Sequence, residues 1–230
     1  MRNLTIQVTA TANAICLILL CLYIAVHLPS FNLSFYSWQY TTNNTHNVIG
    51  MEDAELMAVT RHMLDYMRGH TPSLQIEAVV HGQLRPFFSD REILHMVDVY
   101  DLFMLGNDIR NLAAAWFFGT IGIIGFMRAP IAVTLAKAYQ WVIGVLLVAN
   151  ALLISLIAID FDHAFRVFHE IFFNNDLWIL DPTTDLLINI VPLPFFITLS
   201  VVIAIIFHIM LVLIFITSWA VCKRARRGKL

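Results

Sequence analysis

Charge is what this chain has least of. Lys, Arg, Asp and Glu make up 13% of its 230 residues, about half the share of an ordinary soluble domain. Sixteen acidic residues against fourteen basic ones leave a net charge of −2. No basic stripe lies outside the C-terminal tail, so nothing points to nucleic acid as a partner. Cysteine is nearly as scarce. Cys16 and Cys21 sit within an apolar run and Cys222 beside the terminal basic cluster, which leaves no disulfide framework. Familiar nucleophile signatures are missing too. There is no G-x-S-x-G, no cysteine in a water-facing loop, and no serine in a triad context. The compact H-E-x-x-H and multi-Cys spacings of strong metal sites are also absent.

What fills the chain instead is apolar. Hydrophobic residues reach 59% and the mean hydropathy is +0.75, values that belong to an integral membrane protein. Four segments read as transmembrane helices: roughly Thr9 to Leu28, Leu112 to Met127, Tyr139 to Ile159, and Phe195 to Val221. The first is long enough to cross ~30 Å of hydrocarbon. Its apolar run continues to a His-Leu-Pro end rather than a small-residue cleavage site, so it is a retained anchor. The second is short and continues a helix that begins earlier. No interior position of the four holds Asp, Glu, Lys or Arg, which argues against transport. His208 is the one ionisable residue near mid-membrane, and the expectation for it is a bond to a neighbouring helix.

Basic residues set the orientation. Arg2 precedes the first span, Arg128 and Lys137 lie in the short link between spans two and three, and Lys223, Arg224, Arg226, Arg227 and Lys229 end the chain. All fall on one side of a four-span protein, and that side is cytoplasmic by the positive-inside rule. The expected architecture is an all-α polytopic membrane protein with a small extracytoplasmic α(+β) cap. Residues 1–230 make a single membrane domain. The outer cap is 29–111, between spans one and two, and a second outer loop is 160–194, between spans three and four.

Within the cap, Pro29 to Thr45 is polar and aromatic and suits a segment lying on headgroups. Glu52 to Arg68 reads as an amphipathic helix with acidic residues first and Gly69 just beyond its end. Leu74 to Phe88 carries two short β-type runs broken at His81-Gly82, a hairpin, with Pro86 confined to an edge or an end. Ser89 with Glu92 three residues on is a capping box that opens a helix. That helix should break near Gly106.

Two outer stretches mix aromatic and ionisable residues densely. On the first, Phe88 to Asn111, Arg91, His95 and Asp98 share one helical face. On the second, Phe161 to Phe196, Arg166, His169 and Glu170 fall on one side of a helix starting near Asp162. Asp181-Pro182 reads as a helix N-cap with proline in the first helical position, and Asp185 suits either capping or support. Three readings stay open for the two histidines. They are interfacial packing residues satisfied by Asp98 and Glu170, a base and acid pair, or part of a metal site with Asp98 and Glu170 as further ligands.

The pairing of FSDREILHMVDVYDLF with FHEIFFNNDLWILDPTTDLLINIVPLPFF resembles the lipoprotein intramolecular transacylase (Lit) family of Gram-positive bacteria. The resemblance covers nearly the whole chain, although the first span and the cap to about Ile49 match only in character. It implies an acyltransferase acting on diacylglyceryl-modified bacterial lipoproteins at the cell membrane. The acyl chain at sn-2 of the glyceryl group moves to the α-amino group of the lipoprotein's N-terminal cysteine and leaves the lyso-form. It further implies that His95, in REILHMVDV, and His169, in VFHEIFF, are the catalytic residues, with no metal or other cofactor.

The residues agree with that chemistry. Amine and ester belong to one substrate, so no enzyme nucleophile is needed, and one histidine can take the amine's proton while the other protonates the departing oxygen. Candidate donors to the oxyanion are Arg91, Arg166 and a backbone N–H near Asn174. Asp98 and Glu170 are candidate orienters of the two rings, and Trp178 belongs to an apolar wall. The rival functions are a metal-dependent membrane hydrolase and a non-catalytic membrane scaffold.

Overall fold

A computed structural model describes residues 2–127 and 130–228. Arg128 and Lys229, two of the basic residues that set the expected orientation, lie outside the described residues. The elements in chain order are α1 (Arg2–Ser30), α2 (Leu33–Asn43), α3 (Thr45–Ile49), α4 (Asp53–Met67), β1 (Glu77–Val80), β2 (Gln83–Pro86), α5 (Asp90–Phe126), α6 (Ile131–Ile159), α7 (Phe161–Phe172), α8 (Leu187–Ile190) and α9 (Leu193–Arg226). The chain is mostly helical, with one two-stranded sheet among the described residues. Four helices, α1, α5, α6 and α9, are long and apolar enough to cross a membrane.

Helix α5 is 37 residues long. At 1.5 Å per residue it extends about 55 Å, against a hydrocarbon core of ~30 Å. Its early turns therefore need not lie in hydrocarbon. The expected break at Gly106 does not occur. A glycine inside a helix costs about 1 kcal/mol relative to alanine but keeps its N–H, and the hydrogen-bonded helix continues through it.

The chain divides into two compact units, the first comprising Met1–Val26, Gly106–Ile159 and Ile203–Leu230. Here Cys21 and Ala25 of α1 meet Ile143 of α6 and Phe207 and Leu211 of α9. Small side chains at such contacts let helix backbones approach. Asn13 of α1 is fully buried. Its amide donates to the Phe117 carbonyl and the Thr120 hydroxyl, each at 2.8 Å, and its carbonyl accepts from the Tyr139 hydroxyl at 2.6 Å. One polar side chain thus joins three helices, each such bond contributing roughly 0.6 kcal/mol in an apolar medium. Large apolar side chains, among them Trp116, Phe118, Trp141 and Leu152, stay exposed as a surface suited to hydrocarbon. His208 does not bond to a neighbouring helix: its Nδ1 lies 2.7 Å from the Ala204 carbonyl of its own helix. That oxygen is one turn back and already within reach. All three cysteines are free.

The second unit comprises His27–Leu105 and Asp160–Val202. Its core gathers Tyr36 and Tyr40 of α2, Leu56, Val59, Met63 and Leu64 of α4, Phe87, Phe88, and Leu187, Ile190 and Phe195. Asn32 caps α2 by accepting from the Ser34 and Phe35 N–H groups. Three rings of the aromatic segment there, Phe31, Tyr36 and Tyr40, are buried. The Tyr36 hydroxyl donates to the Ser30 carbonyl at 3.0 Å and the Tyr40 hydroxyl pairs with that of Thr60 at 2.8 Å. Each ring thereby finds a polar partner inside an apolar core. Trp38 alone of these rings is largely exposed.

Helix α4 carries Asp53 and Glu55 in its first turn, and Gly69, at φ +77°, follows its end as a glycine stop does. Strands β1 and β2 pair antiparallel with Val80 opposite Gln83. His81 (φ 50°) and Gly82 (φ 76°) turn between them, both left-handed as a tight two-residue hairpin turn requires. Pro86 ends β2. Asp181-Pro182 does not open a helix. The Asp181 carboxylate accepts from the Thr183 N–H at 2.8 Å and its hydroxyl at 2.7 Å, which closes one local turn in competition with a helix. Helix α8 begins later, at Leu187.

Candidate active site

The site grows from the start of α5. Ser89 and Glu92 form the expected capping box, with the Ser89 N–H donating to Glu92 at 2.6 Å and the Glu92 N–H to the Ser89 hydroxyl at 3.3 Å. The box reaches further than a helix cap needs. The second oxygen of Glu92 accepts the Leu187 N–H, 95 positions later in the chain, and Glu92 is 1% exposed. The Ser89 hydroxyl donates to Asp185 at 3.1 Å, and the other oxygen of Asp185 accepts the Asp181 N–H at 2.8 Å. Residues 181–187 are thereby tied to the first turn of α5.

His95 stands one turn beyond Glu92, and His169 lies near the end of α7. Each is only 7% exposed. Their ring centroids are 6.2 Å apart with planes inclined by 37°. Phe173 touches both, edge-on to His95 at 5.4 Å and tilted against His169 at 5.5 Å. Trp178 stacks on His169 at 4.8 Å and 28°, and Phe165 and Phe168 complete that ring's surroundings at 4.3 and 5.4 Å. The two histidines, 74 positions apart, form one aromatic-walled cluster.

The protonation of His169 follows from its partner. Its Nδ1 is 2.7 Å from the Phe165 carbonyl. A carbonyl oxygen only accepts, so Nδ1 carries the proton and Nε2 is left as a free base. Burial pushes the His169 pKa down, and the Phe165 carbonyl offsets part of that shift. His95 differs, since its Nδ1 is buried with no hydrogen-bond partner. His169, Asp98 and Arg91 are the titratable or charged groups near enough to act on its ring. Two buried imidazoles this close resist carrying charge together.

The other expected site residues divide into those brought in and those left out. Arg91 donates through Nη2 to the Asp176 carbonyl and lies 3.7 Å from the Asp176 carboxylate, while its Nε is buried and unpartnered. Asp98 accepts from Asn175 at 2.9 Å. Trp178, as described, stacks on His169. Arg166 and Glu170 are exposed. Arg166 pairs with Asp162 at 2.9 Å on its own helix, and Glu170 does not orient His169, because the Phe165 carbonyl already takes the Nδ1 proton. The shared helical face separates them: His169 packs inward and its charged neighbours rotate outward. Asn174 is exposed, and its neighbour Asn175 makes the bonds. Asp181 and Asp185 serve the tie to α5. The Thr183 N–H and hydroxyl hold the Asp181 carboxyl below the usual carboxylate range.

Two contributors escaped the sequence reading. Glu92 was visible only as a cap, and Asn175 carried no signal separating it from Asn174. Among the described residues, no group of three or more His, Cys, Asp or Glu side chains is placed to hold a metal ion.

The sequence model of the family described as lipoprotein intramolecular transacylase Lit matches residues 11–196. No curated protein matches the chain. The fold is similar to that of the membrane-integral lipoprotein intramolecular transacylase Lit from Bacillus cereus, with a TM-score of 0.75 and 16% identity over 98% of this chain and 99% of that one. A variant of that protein with one histidine replaced by alanine gives 0.75 at 15% identity, over 98% and 97%. One with a histidine replaced by arginine gives 0.72 at 16%, over 99% and 95%. At these identities the structural likeness speaks to the fold, whereas the family model spans both histidine-bearing segments and most of the sequence. The chain belongs to the lipoprotein intramolecular transacylase Lit family.

Proposed function

We propose that the chain moves the acyl group at sn-2 of a lipoprotein's diacylglyceryl cysteine onto that cysteine's own α-amino group, producing the lyso-form lipoprotein. The observation that carries this reading is the buried pair of imidazoles 6.2 Å apart, walled by Phe173, Phe168 and Trp178. The pair supplies proton transfer, and the aromatic wall suits a lipid ester.

The α-amine has a pKa near ~8, so much of it is ammonium at neutral pH and cannot attack. With its proton on Nδ1, His169 offers Nε2 to take the amine's proton. At His95 an unpaired lone pair on the buried Nδ1 is tolerated better than an unpaired N–H, which assigns the proton to Nε2 as the donor. The amine nitrogen bonds to the ester carbonyl carbon, the bond from that carbon to the glyceryl oxygen breaks, and the oxygen leaves with the proton from His95. The proton gained by His169 then passes to the neighbouring His95 and restores both neutral rings. From the free amine, one proton thus moves overall from nitrogen to oxygen, the ammonium's additional proton having gone to water. Proton transfer by a placed side chain contributes about 10²–10⁴-fold each. Holding both reacting groups of one molecule together contributes up to ~7–11 kcal/mol. Arg91 is the oxyanion donor best supported by position, because its buried Nε has no partner whereas Arg166 is exposed.

In this reading residues 1–230 form one membrane domain. The cap at 29–111 and the loop at 160–194 face outward, both termini are cytoplasmic, and the histidines work at the outer leaflet of the plasma membrane. The lipoprotein and membrane lipid are the partners. Lys137 and the cluster Lys223, Arg224, Arg226 and Arg227 support that orientation. The deciding experiment is mass spectrometry of lipoprotein N-termini from cells with and without this protein. N-acylated lyso-forms that require its presence are expected, and an unchanged acylation pattern overturns the reading.

A further inference from the structure

We propose that Asn175 is the positioning residue of this site, a strut that fixes the two histidines relative to each other. The inference rests on the acyl-transfer reading above and adds a residue to it.

Asn175 lies in the turn after α7 and uses three groups at once. Its Nδ2 donates to the Asp98 carboxylate on α5 at 2.9 Å, one turn beyond His95. Its Oδ1 accepts the Leu177 N–H at 3.0 Å, which locks the side-chain direction. Its backbone carbonyl accepts the Trp178 indole N–H, also at 3.0 Å, and that indole stacks on His169 at 4.8 Å. One residue therefore holds the carboxylate that flanks one imidazole and the aromatic plate that flanks the other. Because Oδ1 is occupied by Leu177, Nδ2 has one direction left, toward Asp98. Aspartate cannot replace it, since two carboxylates would face each other. Both asparagines are exposed, and it is Asn175, not the preceding Asn174, that reaches Asp98. The separation of the imidazoles is thus held from outside the rings as well as by Phe173, which packs beside both. A reaction needing one ring at the amine and the other at the ester is sensitive to that separation.

The test uses the full chain in detergent micelles with a synthetic diacylglyceryl lipopeptide. Asn175→Ala is expected to lower kcat by about 10- to 100-fold, by analogy with the loss when outer partners of metal-bound imidazoles are removed, with KM little changed. Asn175→Asp and Asp98→Asn should each lose activity. Combined in one chain, they restore a donor facing a carboxylate with the roles exchanged, so the double variant should be faster than either single one. That rescue is the readout a merely structural role would not give, and it holds even if Asn175→Ala folds poorly. A double variant no faster than the slower single one overturns the proposal. So does full activity in Asn175→Ala while His95→Ala and His169→Ala are inactive. Activity in the two histidine variants would instead overturn the acyl-transfer reading itself, so the two failures are separable.

Discussion

The Nδ1–H of His169 is given to the Phe165 carbonyl at 2.7 Å, one turn back on the same helix. A charged orienter is therefore unnecessary for this ring, and its tautomer is set by backbone alone. Glu170→Gln and Arg166→Ala should each leave acyl transfer within about fivefold of the parent, because exposed groups and i,i+4 surface pairs contribute at most about 1 kcal/mol. Initial rates on the lipopeptide check this. A hundredfold loss in either would put a second carboxylate or guanidinium into the chemistry.

His95→Ala and His169→Ala should each reduce transfer by at least about 10²-fold. The double variant should be no slower than the worse single one, since members of one catalytic unit are not additive. Thermal unfolding in detergent should change little next to the loss of rate.

The pH dependence follows from burial of His169. Its folded pKa lies below the ordinary histidine value of 6.5, while the unfolded chain titrates near that value. Below pH 6.5 the unfolded state therefore binds more protons than the folded one. The stability tied to neutral His169 is present above 6.5 and lost as pH falls through the lowered folded value. The apparent Tm, followed from about pH 7 to about pH 5, should fall. The fall should be smaller in His169→Gln, whose side chain does not titrate.

Glu92→Gln tests the tie between the two segments. Gln keeps one acceptor but turns an amide donor toward a backbone N–H, either that of Ser89 or that of Leu187. The loss should be about 1–3 kcal/mol of stability, read as a lowered apparent Tm, with activity falling in step because the loop loosens. An unchanged Tm would show that the carboxylate is not what joins them.

Gly50 sits at φ +64°, and a Cβ there would meet the His81 ring at 2.1 Å. Gly50→Ala should lower the apparent Tm and disturb the hairpin through the bond from the His81 N–H to the Gly50 carbonyl. Faster hydrogen exchange at Val79 and Val80 would report it.

Much of this arrangement is legible in the sequence, and the reasons are local. Four apolar runs, a capping box at Ser89 and Glu92, a glycine stop at Gly69 and a His-Gly turn all declare themselves by composition within a few residues. The two histidines stood out because each sits among charge on an amphipathic helix beside aromatic residues. What was not legible depends on contacts between distant segments. Asn174 and Asn175 are the same residue type side by side, and only the approach of α5 makes one of them matter. Arg166 and Glu170 share a helix with His169, yet which way that face rolls is decided by what packs on Phe165 and Phe173. Tyr36 and Tyr40 looked interfacial because their partners, Ser30 and Thr60, are not beside them in pattern. Gly106 looked like a break because glycine often is one, but a long helix absorbs its cost.

The bond from Leu187 to Glu92 joins residues 95 positions apart, and this bears on the protein's own manufacture. In the proposed orientation a ribosome delivers the first histidine, then two membrane crossings, then the second histidine, and finally the N–H that completes the tie. A chain halted before Leu187 holds both imidazoles but leaves the buried carboxylate of Glu92 half-satisfied, and its loop is free to swing. On the proposed function, activity is therefore expected only late in synthesis, once Leu187 has reached Glu92. Nascent chains arrested on either side of Leu187 should differ sharply in transfer activity.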